Sequence, residues 1–212
     1  MKKMFKIVLP ILVVILSVFS LVLPVQAFFW IAGMGAYYSP NYGDIEDSIN
    51  RINADLGTRL KLKAGSGIVL SCGYDFEKWG LRLDAFTFEA ETSSTVYIYW
   101  IPVTVSVKTS TTPIILSAVY KVPTEGKLHP YFGAGIGTFP SKTTVRVAYL
   151  KESQSDSPIG FQILGGAEYR LENGVFFMGE FRYLLAETDY PTIVSTDWSG
   201  VFASIGAGYR FK

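Results

Sequence analysis

The chain has 212 residues, a formal net charge of +1, and one cysteine, and nearly half of its residues are apolar. A near-neutral balance gives no electrostatic case for a nucleic acid partner, and a lone cysteine excludes an internal disulfide. Aromatics at 15 % and 20 glycines spread through the chain point to strands with one apolar face rather than to helices.

Lys2, Lys3 and Lys6 precede an apolar run from Ile7 to Leu23 that only Pro10, Ser17 and Ser20 interrupt. Pro24 breaks the run, and Val25-Gln26-Ala27 offers small residues where a signal peptidase reads. Residues 1–27 therefore read as a secretory signal peptide. The run is slightly long for that role, so an uncleaved inner-membrane anchor is the alternative. No cysteine follows it, so a lipoprotein anchor there is excluded. Removing 27 residues from 212 leaves 185, a single domain over 28–212, with 16 bases against 18 acids and a net charge of −2. Beyond the leader no stretch approaches the ~20 apolar residues of a spanning helix.

In chain order, a strand is expected near 29–38. It is followed by an amphipathic helix over Asp44 to Leu56, with Ile45, Ile49, Ile52 and Leu56 at helical spacing and Gly57 after it. Its polar face, with Glu46, Asp47, Asn50 and Asp55, is acidic. A cap packed on neighbouring loops therefore fits it better than a lipid-surface helix, though a partner surface stays open. Further strands are expected near 66–77, 80–92, 112–122, 130–140, 158–171, 174–186 and 199–211.

The last strand shows the reason most clearly. Val201, Ala203, Ile205, Ala207, Tyr209 and Phe211 alternate with Phe202, Ser204, Gly206, Gly208 and Arg210. A period of two over this length means two different solvents on the two faces.

Short polar connections fall at Glu77-Lys78-Trp79-Gly80, Pro123 to His129 and Leu171-Glu172-Asn173-Gly174, the last with an Asn-Gly turn signal. The other connections look long and rich in Ser and Thr, around Ser93-Ser94, Thr109 to Thr112 and Ser141 to Pro158. Residues 93–111 also alternate (Tyr97, Tyr99, Ile101, Val103, Val105, Val107), so the flanking strands can extend through them. Short turns at one end and long loops at the other are the habit of bacterial outer-membrane barrels, and eight strands close a small one. Four strand ends share a pattern: Tyr74-Asp75-Phe76, Tyr120-Lys121-Val122, Tyr169-Arg170-Leu171 and Tyr209-Arg210-Phe211. The tyrosines would form a girdle at the headgroup layer, with the charges pointing inward.

These residues resemble the OmpA/OmpX-like eight-stranded outer-membrane barrels. Tyr131-Phe132-Gly133-Ala134-Gly135-Ile136-Gly137 is similar to the glycine-aromatic strand of that group. Ser204, Gly206, Tyr209 and Phe211 look like the terminal signal presented to the barrel assembly machinery, with Lys212 as a departure. The resemblance implies an all-β, antiparallel up-and-down transmembrane barrel in the cell outer membrane. Its implied surroundings are outer-membrane lipid and lipopolysaccharide, and it would act as a monomer without a cofactor.

The inward face would carry Asp75, Glu77, Arg82, Asp84, Lys121, Glu168, Arg170, Glu180, Arg182 and Arg210, five acids and five bases. Charges in so narrow a space must pair or be hydrated. A salt-bridged lumen is the expectation, and a gated path in which pairs such as Glu180 with Arg210 exchange partners is the alternative. Catalysis finds little support. A lipid A-modifying enzyme needs Ser, His and an acid together, and the only histidine, His129, sits before Pro130 at a short turn. It reads as a strand-entry residue. Cys72, in step with Leu70 and Tyr74, reads as a small lipid-facing side chain. Neither a CxxC nor a histidine cluster offers a metal site. Gly133, Gly135 and Gly137 leave room for side chains across the lumen. The expected role is structural or surface-interacting, with a narrow pore, a lipid A-modifying barrel and a soluble periplasmic barrel as alternatives. The soluble barrel conflicts with Phe161, Phe177, Phe181 and Ile205 on the outward face.

Overall fold

The structure, a computed structural model, describes residues 27–40, 65–98, 101–147, 150–188, 196–197 and 199–211. All but Ala27 of the expected signal peptide, and the expected helix at 44–56 with Ile45, Ile49, Ile52 and Leu56, lie outside the described residues.

Eight antiparallel strands form the barrel: β1 (Ala27–Pro40), β2 (Gly65–Phe76), β3 (Trp79–Ile98), β5 (Ile114–Lys121), β6 (Leu128–Thr138), β9 (Ile159–Arg170), β10 (Val175–Leu185) and β13 (Gly200–Arg210). Their order around the wall is β2-β1-β13-β10-β9-β6-β5-β3, and β3 pairs back to β2. The first and last strands pair from Trp30↔Arg210 to Pro40↔Gly200, so the wall has no open edge. Closure is what a lipid solvent demands, because hydrocarbon offers no partner to an unpaired backbone group.

The alternation predicted from sequence is the alternation of burial. In β10, Phe176, Met178, Glu180, Arg182 and Leu184 are buried while Phe177, Phe181 and Leu185 are exposed. Ile205 is 75 % exposed, Phe181 69 % and Ile159 66 %. Such a wall fits hydrocarbon and not water, which removes the soluble alternative.

The region above the barrel differs from expectation. The Ser/Thr-rich connections are strands. β3 continues upward and pairs with β4 (Ile101–Thr111) from Phe88↔Thr111 to Ile98↔Ile101. β4 pairs in turn with β7 (Ser141–Val147), and β7 with β8 (Leu150–Asp156). So 93–98 and 101–111 extend the sheet, as their alternation allowed, and 141–147 and 150–156 are paired antiparallel strands rather than loop. A separate short ladder joins β11 (Glu187–Thr188) to β12 (Thr196–Asp197).

The junctions explain the misreading. β4 runs into β5, β6 into β7 and β8 into β9 through Pro113, Pro140 and Pro158 respectively. Proline cannot donate to a ladder, yet each proline carbonyl here accepts from the neighbouring strand. Phe86 N–H donates to Pro113 (3.2 Å), Thr112 N–H to Pro140 (2.9 Å) and Phe139 N–H to Pro158 (2.9 Å). The three prolines form a belt of neighbouring junctions, across which the ladder keeps its continuity.

At the opposite end the connections are short, as expected. The Asn-Gly turn places Gly174 at φ 87°, with the Asn173 side chain accepting from Val175 N–H at 3.1 Å. The first turn is corrected. Phe76 pairs with Trp79 across Glu77 and Lys78, and Gly80 already lies in β3. Glu77 itself takes the positive φ, 49°.

Candidate functional site

Inward positions of the barrel gather the charged side chains into two clusters. The first sits midway along the wall. Arg82 on β3 donates to Glu180 through both terminal nitrogens (2.7 and 3.0 Å) and through Nε to Asp84 (2.7 Å). Arg182 on β10 bonds both Glu180 and Asp84, the latter at 3.1 Å. The remaining lone pairs are also met. Tyr131 and Ser204 hydroxyls donate to Glu180 at 2.8 and 3.1 Å, and Ser71 donates to Asp84 at 2.5 Å. Gln162 reaches Asp84 at 3.4 Å and Ser117 at 2.7 Å. Two acids and two bases, each at most 2 % exposed, therefore form a closed and balanced set. Burial at this depth is tolerable only with such saturation.

The second cluster lies at the short-turn end. Lys121 on β5 bridges Asp75 (2.5 Å) and Glu168 (2.9 Å). Arg210 reaches the same two carboxylates at 2.7 and 3.3 Å, and Arg170 bonds Glu168 at 2.8 Å. The Trp30 indole N–H donates to Asp75 at 3.1 Å. Here three cations share two acids, and the Arg170 side chain is 25 % exposed. A cavity of about 10 Å³ between the clusters, lined by Trp30, Asp75, Arg82, Lys121, Tyr131 and Glu168, has room for one water.

An aromatic layer closes the other side of the middle cluster. Phe86, Phe88 and Phe202 meet pairwise at 5.1 to 5.4 Å, and Tyr38 stacks on Phe88 at 4.6 Å. The Arg182 guanidinium lies 5.5 Å from the centroids of both Phe86 and Phe202, so the charge network ends against ring faces.

Nine of the ten charges expected in the lumen face it: Asp75, Arg82, Asp84, Lys121, Glu168, Arg170, Glu180, Arg182 and Arg210. Glu77 does not, because it occupies the exposed two-residue turn. The suggested pairing of Glu180 with Arg210 is also corrected, since they belong to different clusters. Tyr74, Tyr120, Tyr169 and Tyr209 take outward positions one residue from the inward Asp75, Lys121, Arg170 and Arg210. Tyr120 meets Trp79 at 5.1 Å and Phe132 at 5.3 Å, and Tyr209 meets Phe211 at 5.0 Å. Ser204 and Gly206 face inward, Tyr209 and Phe211 outward. Phe211 N–H donates to Phe29 at 2.8 Å and completes the seam with β1.

Sequence reasoning gave no lumen role to Ser71, Ser117, Tyr131, Gln162 or the aromatic layer. Their signal was present, since all fall on the inward parity of strands already assigned. Cys72 is half-buried on the outward face, and His129 enters β6 with its ring 3.2 Å from the Thr124 hydroxyl.

Comparison with known proteins agrees with this geometry. The family described as outer membrane protein beta-barrel domain matches residues 13–211. The chain belongs to that family. It is a protein of the bacterial outer membrane, and the end with short turns is the periplasmic one. The chain is 32 % identical over 96 residues to Protein opa of Haemophilus influenzae, covering 45 % of this chain and 75 % of that protein. Among solved structures it is similar to OprG of Pseudomonas aeruginosa (TM-score 0.56, 20 % identity, 88 % of this chain and 96 % of that one). It is likewise similar to Neisserial surface protein A (TM-score 0.51, 19 % identity, 88 % of this chain and 99 % of that one).

Proposed function

We propose that this family member is a non-enzymatic surface-interaction protein whose lumen is a structural plug and whose extracellular sheet is the working part. The observation that carries the reading is the continuation of β3 into a ladder with β4, β7 and β8 above the proline belt. A barrel that serves only as a wall has no use for a rigid sheet beyond the membrane, whereas display of a recognition surface requires one.

The lumen supports the same reading. Any solute path would have to separate Arg82 and Arg182 from Glu180 and Asp84, then displace Phe86 and Phe202. Each opening leaves buried charges without partners. The enzymatic alternative lacks support because His129 stands at the periplasmic rim, away from the outer leaflet.

Two measurements test this. Replacing residues 92–107 and 144–153 by short turns should leave a barrel that still shifts its gel mobility on heating. Cells displaying that variant should lose adherence to host-surface or abiotic targets that cells with the full chain bind. Planar-bilayer recording of the full chain should show no discrete conductance steps. Steady conductance, or unchanged adherence after the replacement, overturns the proposal.

A further inference from the structure

Alternation continues from the barrel wall into the extracellular sheet, so the sheet has a side that faces away from the barrel axis. That side is set by Leu83, Thr87 and Glu89 on β3, all exposed. Glu89 pairs in register with Ser110, and Ser110 with Lys142. The Lys108 ammonium lies 3.0 Å from Glu89, which places both on this outer side.

Charge is sorted across it. The acid Glu89 is on β3, while Lys108 is on β4 and Lys142 and Arg146 are on β7. Hydroxyl residues fill the positions between, with Thr144 and Ser153 bonded at 3.1 Å. Arg146 stands four residues beyond Lys142, on the same face of β7. Lys142 and Arg146 are both exposed.

Height decides which anion. β6 and β7 form one bent strand whose outward positions run from Phe132 and Ile136, in the apolar band, through Thr138 to Lys142 and Arg146. Lys142 stands four residues past Thr138, about 13 Å along a strand and roughly 9 Å higher at the usual tilt of outer-membrane strands. The cations therefore look sideways into the layer just above the hydrocarbon. In an outer membrane that layer holds the phosphates and acidic sugars of the surrounding glycolipid.

We propose that the outward face of β4, β7 and β8 is a binding surface for the phosphorylated headgroup of outer-leaflet lipopolysaccharide, with Lys142 and Arg146 as its principal contacts. It rests on the placement of the barrel in the outer membrane and not on the surface-interaction role. The sheet would then be braced by the leaflet it rises from, leaving its opposite face and its tip for other partners.

The test uses the full barrel folded in detergent and titrated with fluorescent lipopolysaccharide. A cation beside an anionic lipid surface is worth roughly a fivefold change in partition, so K142Q/R146Q should bind about twenty-fivefold more weakly. Both substitutions are on an exposed face, and heat-dependent gel mobility confirms that the variant is folded. K127Q, which removes a periplasmic lysine, should bind as the parent does. Dephosphorylated lipopolysaccharide should bind the parent as weakly as intact lipid binds the double variant. Equal affinity of parent and double variant overturns the proposal. So does tight binding of dephosphorylated lipid. A soluble sulfated polysaccharide that binds the parent as tightly as lipopolysaccharide would show a face reading anions in solution, and would also overturn it.

Discussion

The two charge clusters of the lumen use the same residue types and have different physics. The middle cluster pairs Arg82 and Arg182 with Asp84 and Glu180 at almost no exposure, under a lid of Phe86 and Phe202. The rim cluster gathers Lys121, Arg170 and Arg210 around Asp75 and Glu168, and Arg210 keeps 18 % of its side-chain surface. Where water is absent the count of charges must balance. Where water reaches one edge, a surplus cation is tolerated because solvent carries part of its field. Depth, not the number of ion pairs, thus sets what each cluster contributes.

Breaking the middle cluster should have the largest effect. E180A leaves Arg82, Arg182 and the Tyr131 hydroxyl around an empty position, and removing one partner of a buried pair costs about 3–5 kcal/mol. Urea unfolding in a fixed detergent should show that loss. The companion variant E180L/R182M keeps Arg82 paired with Asp84 and exchanges a buried pair for apolar volume, so it should lose far less than either single change. If the double loses as much as the sum of the singles, the balance argument is wrong.

Packing around the rim cluster comes next. A Cβ at Gly73 would stand 2.4 Å from the Trp30 indole, whose N–H holds Asp75. G73A should therefore move that ring and cost about 1–3 kcal/mol, in the range of core overpacking, with a change in tryptophan emission. D75N should cost less, about 1–2 kcal/mol, because Lys121 and Arg210 keep Glu168 and water as alternatives. An effect of D75N as large as that of E180A would erase the distinction between the clusters.

Much of this arrangement was legible in the chain. Alternation placed all eight barrel strands within about two residues at most ends, and it assigned nine lumen charges to the correct face. Parity is a local property, so sequence carries it. Partner choice is not local. Glu180 meets Arg82 rather than Arg210 because β10 and β3 are brought to one height by the stagger of the intervening strands, β9, β6 and β5, which no single segment encodes. The extracellular sheet was half legible for a different reason. Residues 93–111 alternate, but 140–158 combines hydroxyls with two prolines, Pro140 and Pro158, a composition that also describes a loop. Only the carbonyl of each proline is engaged, and a pattern of acceptors without donors leaves no mark in composition.

The smallest predicted effect is a gain, and it lies beside the rim cluster at the turn that was misread. Sequence read the connection as Glu77-Lys78-Trp79-Gly80, whereas the two-residue turn is Glu77-Lys78 and Gly80 leaves room for Asp75, whose carboxylate oxygen would be 2.7 Å from a Cβ there. The glycine was therefore spent on the lumen, and Glu77 took the left-handed conformation at φ 49°. Positive φ at the first turn residue alone is the type II′ arrangement, which favours glycine. A side chain there costs about 1–2 kcal/mol, partly offset by the greater chain entropy of unfolded glycine. E77G should thus raise the unfolding midpoint by an amount worth about 0.5–1 kcal/mol. Because Glu77 is exposed and outside both clusters, the same variant should leave the cost of D75N unchanged. Coupling between the two would mean that Glu77 belongs to the rim network after all, as its sequence position had suggested.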